Sequence, residues 1–227
     1  MVLVHGAWGS PSIWDEVAHE LGRLVEVVVA DLPSMQRATA TFADDVEHVR
    51  SLVGPGPTVL CGLSYGGVVI TEAGNAAQDV AHLVYLAAAM PSEGETMFEI
   101  VSRRPVPGEP LEFRDDGTSM PGAWGSEDGR YSAAAIARFA AVPPRPFVVA
   151  AAVTPATAAS WRDIPSTYIL ATRDQVIHPD TQREMAARAG AVVEIDSDHL
   201  VPFEAPSAVA AVLRSIVAEV PGDSVPE

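Results

Sequence analysis

Apolar residues along the chain fall into two spacings that take turns: short continuous runs, and runs that recur every three or four positions. Val2–Val4 is a continuous run leading straight into His5-Gly6. Ser12–Leu24 carries Ile13, Val17, Leu21 and Leu24 at helical spacing, with Ser10 or Ser12 as N-cap. Val25–Ala30 is rich in β-branched residues, the pattern of a parallel strand covered on both faces. Ala40–Val53 sets Phe42, Val46, Val49 and Val53 on one side of a helix. Pro57–Gly62 reads as a third strand, a small-residue helix follows at once from Tyr65 to Ala76, and Val80–Ala87 reads as a fourth strand. Regular alternation resumes with a strand at Ser166–Ala171, a helix at Pro179–Ala189, a strand at Val192–Ile195 and a helix at Pro206–Ala218. The polar residues 221–227 are expected to fray.

Between these two series the pattern changes. Met90–Trp161 is rich in proline, glycine and charge, with helices expected near Glu93–Ser102 and Ser132–Ala141. These 72 residues are too many for a structureless loop in one domain. The expected architecture is α/β, a doubly wound, mainly parallel sheet. Residues 1–89 and 162–227 form its core, and residues 90–161 form a mostly helical lid insertion over the strand ends. A length of 227 residues suits one domain with an insertion.

Composition narrows the function. The formal net charge is −16, and all 14 basic residues are arginine. The acidic balance argues against nucleic acid or an anionic membrane as partner, because phosphate binding needs a basic face. The absence of lysine removes Schiff-base chemistry. A single cysteine, Cys61, rules out an internal disulfide and any multi-cysteine metal site, and reads as a small hydrophobe in its strand. The most apolar stretch, Phe147–Ala159, is too short to span a bilayer. The opening Met-Val-Leu-Val-His-Gly has no positive region or cleavage site, so no leader is expected and a cytoplasmic location follows. No metal-ligand spacing or phosphate loop is present, so no cofactor is expected. The expected partners are a small-molecule substrate and, as a homodimer, a second copy of the chain.

The strongest chemical signal is Gly62-Leu63-Ser64-Tyr65-Gly66-Gly67, a G-x-S-x-G placed between a strand and a helix. A sharp turn there presents the serine hydroxyl above the sheet at a helix N-terminus. Such a serine needs a base and an orienting acid, which in this kind of sheet follow in the order Ser, acid, His. His199 lies in the loop after the last strand. Asp174 lies after the strand Ser166–Ala171, 110 residues beyond Ser64 and 25 before His199. Asp180, Asp196 and Asp198 are its competitors. Asp180 opens a helix, and Asp198 adjoins His199 with its side chain expected to point away. Two backbone donors are needed for an oxyanion, and the N–H groups of Tyr65 and Ala7 are in place. His5 is expected to tie down its glycine turn rather than do chemistry. Trp8, Phe98, Trp124 and Leu200 are candidate substrate contacts, among further insertion residues (Met97, Phe113, Met120, Tyr131, Phe139) that supply apolar area.

V-L-V-H-G-A-W, G-L-S-Y-G-G, T-R-D-Q-V-I and S-D-H-L-V-P-F-E-A-P together resemble the α/β-hydrolase superfamily. The resemblance is closest to the small carboxylesterase branch shared with plant methylesterases and hydroxynitrile lyases. It spans nearly the whole chain and is weakest across Met90–Trp161. It implies Ser64 as nucleophile, Asp174 as acid, His199 as base, and Ala7 and Tyr65 as oxyanion donors, the same five residues. It implies a serine carboxylic ester hydrolase; the aromatic and methionine area of the insertion and the −16 charge lead to the expectation of a small or medium, neutral, partly apolar ester, lactone or thioester. Larger members carry strands before the H-G strand that are absent here, so a small sheet with a bare edge is expected. Related hydroxynitrile lyases have threonine where this chain has Gly6, and lysine where it has Leu200, which disfavours cyanohydrin cleavage. A haloalkane dehalogenase would need aspartate at position 64, whereas a haloperoxidase-like enzyme would use the same triad. A cyclase or lyase on that triad, and a ligand-binding relative with vestigial catalysis, stay open as alternatives.

Overall fold

The computed structural model describes residues 1–75, 77–106, 111–122 and 131–220. In chain order its strands are β1 (Val2–Val4), β2 (Val28–Ala30), β3 (Thr58–Leu63), β4 (Val80–Leu86), β5 (Leu111–Phe113), β6 (Thr118–Pro121), β7 (Phe147–Val148), β8 (Ser166–Ala171) and β9 (Ala191–Ile195). Its α-helices are α1 (Asp15–Leu21), α2 (Phe42–Ser51), α3 (Gly66–Ala73), α4 (Met97–Ser102), α5 (Ala133–Ala141), α6 (Val149–Val153), α7 (Pro179–Ala186), α8 (Val201–Glu204) and α9 (Pro206–Glu219).

Six strands pair in the order β2-β1-β3-β4-β8-β9, every neighbour parallel. Side chains of a strand alternate between faces, and here the two faces feed two separate apolar clusters. Val2, Val4, Leu60, Leu83, Tyr85, Tyr168 and Leu170 join α2, α3 and α7 on one side. Leu3, Val59, Cys61, Val84, Leu86, Ile169 and Ala171 join α1 and α9 on the other. Helices therefore cover both faces, as the alternation of elements predicts. Cys61 is fully buried within its strand, and burial pushes its thiol up.

Three differences from the expected pattern have physical reasons. The run Val25–Ala30 forms a strand only from Val28, where it pairs with Val2, and it lies at the sheet edge. Val28 is consequently exposed, not covered on both faces. The long helix expected at Ser12–Leu24 breaks into a 3₁₀ turn at Pro11–Trp14, α1, and a 3₁₀ turn at Gly22–Leu24. Pro11 opens it and Gly22, at φ 64, ends α1. Within the insertion, the described residues form α4, α5 and α6 and also a three-stranded antiparallel sheet, β5-β6-β7, that the sequence pattern does not announce. Among the described residues no helix is long and apolar enough to cross a membrane.

Candidate active site

All six strands of the main sheet point their carboxyl ends the same way, and the loops leaving that edge bring the chemistry together. β3 runs into Ser64, whose φ of 55 lies in the left-handed region. That conformation costs an L-residue about 1–2 kcal/mol, so the surroundings must hold it. They do so through hydrogen bonds: Ser64 N–H donates to Leu86 O at 3.3 Å, while Ser64 O accepts from Gly67 N and Ala89 N at 3.1 Å each. The glycines of the motif are required by space. A Cβ on Gly62 would lie 2.4 Å from Gly66 O, and one on Gly67 would lie 2.2 Å from Ala89 O. Ser64 itself is 6% exposed, at the start of α3.

The loop after β1, His5–Gly9, packs directly on this turn. A Cβ on Gly6 would sit 2.9 Å from Ser64 Cβ and 3.5 Å from Ser64 Oγ. Trp8 in the same loop has φ 57, a second non-glycine residue in the left-handed region. His5 is fully buried; its Nδ1 bonds Gly6 O at 2.9 Å and its Nε2 accepts from Leu32 N at 3.2 Å. Those contacts make it a tie for the loop, with Nδ1 carrying the proton. Among the described residues, the N–H groups of Ala7 and Tyr65 have no acceptor in the fold.

Asp174 and His199 leave β8 and β9 on adjacent loops. Asp174 Oδ2 lies 2.7 Å from His199 Nδ1, with the two side chains 0% and 7% exposed. The same carboxylate accepts from Val176 N at 2.7 Å, Ile177 N at 2.9 Å and Gln182 Nε2 at 2.7 Å. Four donors on two oxygens fix its plane, and the Nδ1 bond turns Nε2 of His199 away from it. Gln182 escapes sequence reasoning because a glutamine within an amphipathic helix reads as solvated surface; here it is fully buried.

The competing carboxylates have other partners. Asp180 pairs with Arg183 on α7, where His178 caps the helix. Asp196 pairs with Arg173. Asp198 is fully buried and accepts from Ser132 N at 2.7 Å and Leu200 N at 2.8 Å. Burial pushes its carboxyl up, against those two bonds. A further buried carboxylate, Asp45 on α2, accepts from Tyr65 OH at 2.8 Å and Ser34 N at 2.9 Å. It anchors the Tyr65 ring behind the turn, and burial raises its carboxyl as well.

Of the candidate substrate contacts, Trp8 is half-buried and donates from Nε1 to Ser119 O at 3.1 Å, which joins the loop to β6. Leu200 is 2% exposed and shares an apolar cluster with Tyr131 and Ala135 of the insertion. Phe98 is 59% exposed on α4, whose buried face carries Met97 and Ile100. Phe113 is likewise exposed, on β5. Trp124 lies outside the described residues. Arg103 and Arg104 of the insertion pair with Glu95 and Glu184.

This sheet order, a strained serine between strand and helix, and a carboxylate–histidine pair on the last two strands define a class. The model of the alpha/beta hydrolase family matches residues 1–212, and the chain belongs to that family. It is a hydrolase by that membership. It is similar to the α/β hydrolase nvfD of Aspergillus novofumigatus, with 27% identity over 247 residues and 96% of each chain covered. It is also similar to the lipase LipV of Mycobacterium tuberculosis, with 28% identity over 242 residues, covering 95% of this chain and 92% of that one. Among solved structures, polyneuridine aldehyde esterase superposes with a TM-score of 0.78 at 20% identity, covering 95% of this chain and 98% of the other, which supports the fold.

Proposed function

We propose that the chain is a serine carboxylesterase, cleaving a small or medium, neutral, partly apolar ester, lactone or thioester through an acyl-enzyme on Ser64. The observation that carries this reading is Ser64 itself, held at φ 55 between β3 and α3 and pressed against the Gly6 turn. In the first half-reaction Ser64 Oγ attacks the acyl carbon as His199 Nε2 takes its proton. Asp174 keeps its bond to Nδ1–H and stabilises the imidazolium. The Ala7 and Tyr65 N–H groups receive the negative oxygen of the tetrahedral intermediate. When that intermediate collapses, His199 returns the proton to the leaving alkoxide. Water then repeats the sequence on the acyl-enzyme, releasing the acid and restoring Ser64. Residues 90–161 act as a lid over the site.

Two further observations support the substrate class. Relatives of this chain are named a lipase and an esterase. The chain carries a net charge of −16, which repels a dianionic substrate and slows its encounter. The test is a fluorophosphonate probe with peptide mapping. Label on Ser64 is the expected result, and label on another residue overturns the assignment. For substrate class, kcat/KM for neutral esters should exceed that for acidic analogues, with the gap narrowing as salt rises. A preference for phosphorylated or polycarboxylate esters at low salt would overturn it.

A further inference from the structure

The His5–Gly9 loop is gripped from the insertion by Arg145. Pro144 and Pro146 flank this residue and restrict its backbone on both sides. Its N–H donates to Trp8 O at 2.9 Å and its Nε donates to Gly9 O at 2.7 Å. One terminal guanidinium nitrogen lies 3.3 Å from His5 Nε2 and 2.7 Å from Asp31 Oδ1. Beside it, the Phe147 ring meets the Trp8 ring edge-on, with centroids 5.8 Å apart.

What this grip controls follows from peptide geometry. The carbonyl of Gly6 accepts from His5 Nδ1 at 2.9 Å and from Gly9 N at 3.2 Å. In a planar trans peptide the C=O of Gly6 and the N–H of Ala7 point in opposite directions. Whatever holds the His5 ring and Gly9 therefore sets the direction of the Ala7 N–H. Arg145 contacts both, reaching across 136 residues to Gly9 and 140 to His5. Lysine could not substitute, because a single ammonium cannot serve Gly9 O and Asp31 in one fixed fork.

We infer that Arg145 is a positioning residue for the oxyanion hole: seated on the insertion, it fixes the plane of the Gly6–Ala7 peptide, so the hole is complete only when the insertion is in place. This rests on the reading of Ser64 as an acylated nucleophile. The experiment compares wild type with Arg145→Ala, Arg145→Lys and, as a surface control, Arg183→Ala. It uses p-nitrophenyl acetate and an aryl trifluoromethyl ketone, which forms a hemiketal oxyanion.

The expected result for Arg145→Ala is a kcat lower by about 10- to 100-fold, below the 10²–10³ of a donor lost outright. KM should stay within about threefold, and the ketone should bind more weakly by about the same factor as kcat falls. Arg145→Lys should recover part of the loss and remain at least threefold down, which also decides the matter if the alanine variant does not fold. An unchanged kcat in a folded Arg145 variant overturns the inference. So does a loss shared equally by Arg183→Ala, or one that appears in KM alone. If wild type takes the fluorophosphonate on Ser64 while Arg145 variants match it, the positioning role falls and the esterase reading stands. Without label on wild-type Ser64, both fall.

Discussion

Strands β3 and β8 are buried at all six of their positions, whereas β5 is exposed at all three of its own. The two regions these strands belong to are held by different forces. The sheet core closes through apolar side chains alternating between two continuous clusters. The insertion sends Met90, Met97, Ile100, Phe147 and Ala151 into one cluster and Tyr131 and Ala135 into the other, and it also attaches through discrete polar ties. Ser132 N–H donates to Asp198, Arg145 grips the loop after β1, and Glu72 of α3 accepts from Thr157 N at 2.8 Å and Ala158 N at 3.2 Å. Two of these three ties end on loops that carry candidate catalytic groups. The lesson is that the core sets where the groups stand, while the insertion adjusts them.

The largest expected effects lie on the core side. Ser64→Ala should lower kcat by ~10⁴-fold or more with little change in melting temperature, and Asp174→Asn by a similar factor through the wrong imidazole tautomer. Steady-state kinetics on p-nitrophenyl acetate measures both. If Asp198→Asn were the more damaging change and Asp174→Asn stayed active, the acid would belong to the insertion tie, and core and insertion would not divide the catalytic work in this way.

Packing at the serine turn comes next. Gly67→Ala would bring a Cβ within 2.2 Å of Ala89 O, backbone that cannot rotate away. Overpacking of that kind costs about 3 kcal/mol, which for a chain of this size is a melting temperature lower by about 6–12 °C. Gly54→Ala meets nothing within 4 Å and serves as the comparison. Equal melting of the two variants would mean the turn is looser than its contacts imply.

The same division explains what the sequence made legible. Val2–Val4, Ser166–Ala171 and the helix faces of Phe42, Val46 and Val49 follow from apolar spacing alone, since burial of a repeated face is what spacing encodes. The G-x-S-x-G turn was readable because each glycine answers a local collision. Asp45 and Arg145 were not, because each is a polar residue whose partner lies far along the chain or behind the motif, and Gln182 was not, because a glutamine in an amphipathic helix reads as solvated surface. Arg145, in Pro143-Pro144-Arg145-Pro146, has the local appearance of a solvated loop charge. The run Val25–Ala30 reads as a strand covered on both faces because edge and interior strands share β-branched composition; that β2 is an edge strand with Val28 exposed depends on neighbour order, a tertiary property.

On the insertion side, Asp198→Asn keeps one acceptor oxygen and leaves one of the Ser132 and Leu200 N–H groups without its partner. An unsatisfied buried donor costs about 1–3 kcal/mol. Because the tie sits beside His199, kcat should also fall, by less than tenfold. Thermal melts and kinetics together check it. A loss confined to stability would make the tie purely structural, with no adjustment of the histidine loop.

The smallest expected effect concerns Asp31, the partner of Arg145 at the mouth of the loop. The Arg145 guanidinium, 2.7 Å from Asp31 Oδ1, holds this carboxyl at about 2, below its ordinary 3.8, while His5 Nε2, which accepts from Leu32 N, stands 3.8 Å away and donates nothing to it. A carboxyl lowered by folding adds stability that is fully present above its unfolded value and is lost as pH falls through the folded one. The difference in melting temperature between wild type and Asp31→Asn should therefore be constant from pH 7 to about 4, shrink between about 4 and 2, and vanish below. Salt should reduce it, because the carboxylate is partly exposed and screened. A difference that persisted below pH 2 would show that Asp31 holds the loop through shape rather than charge, and would leave Arg145 tied to the loop through the Trp8 and Gly9 carbonyls alone.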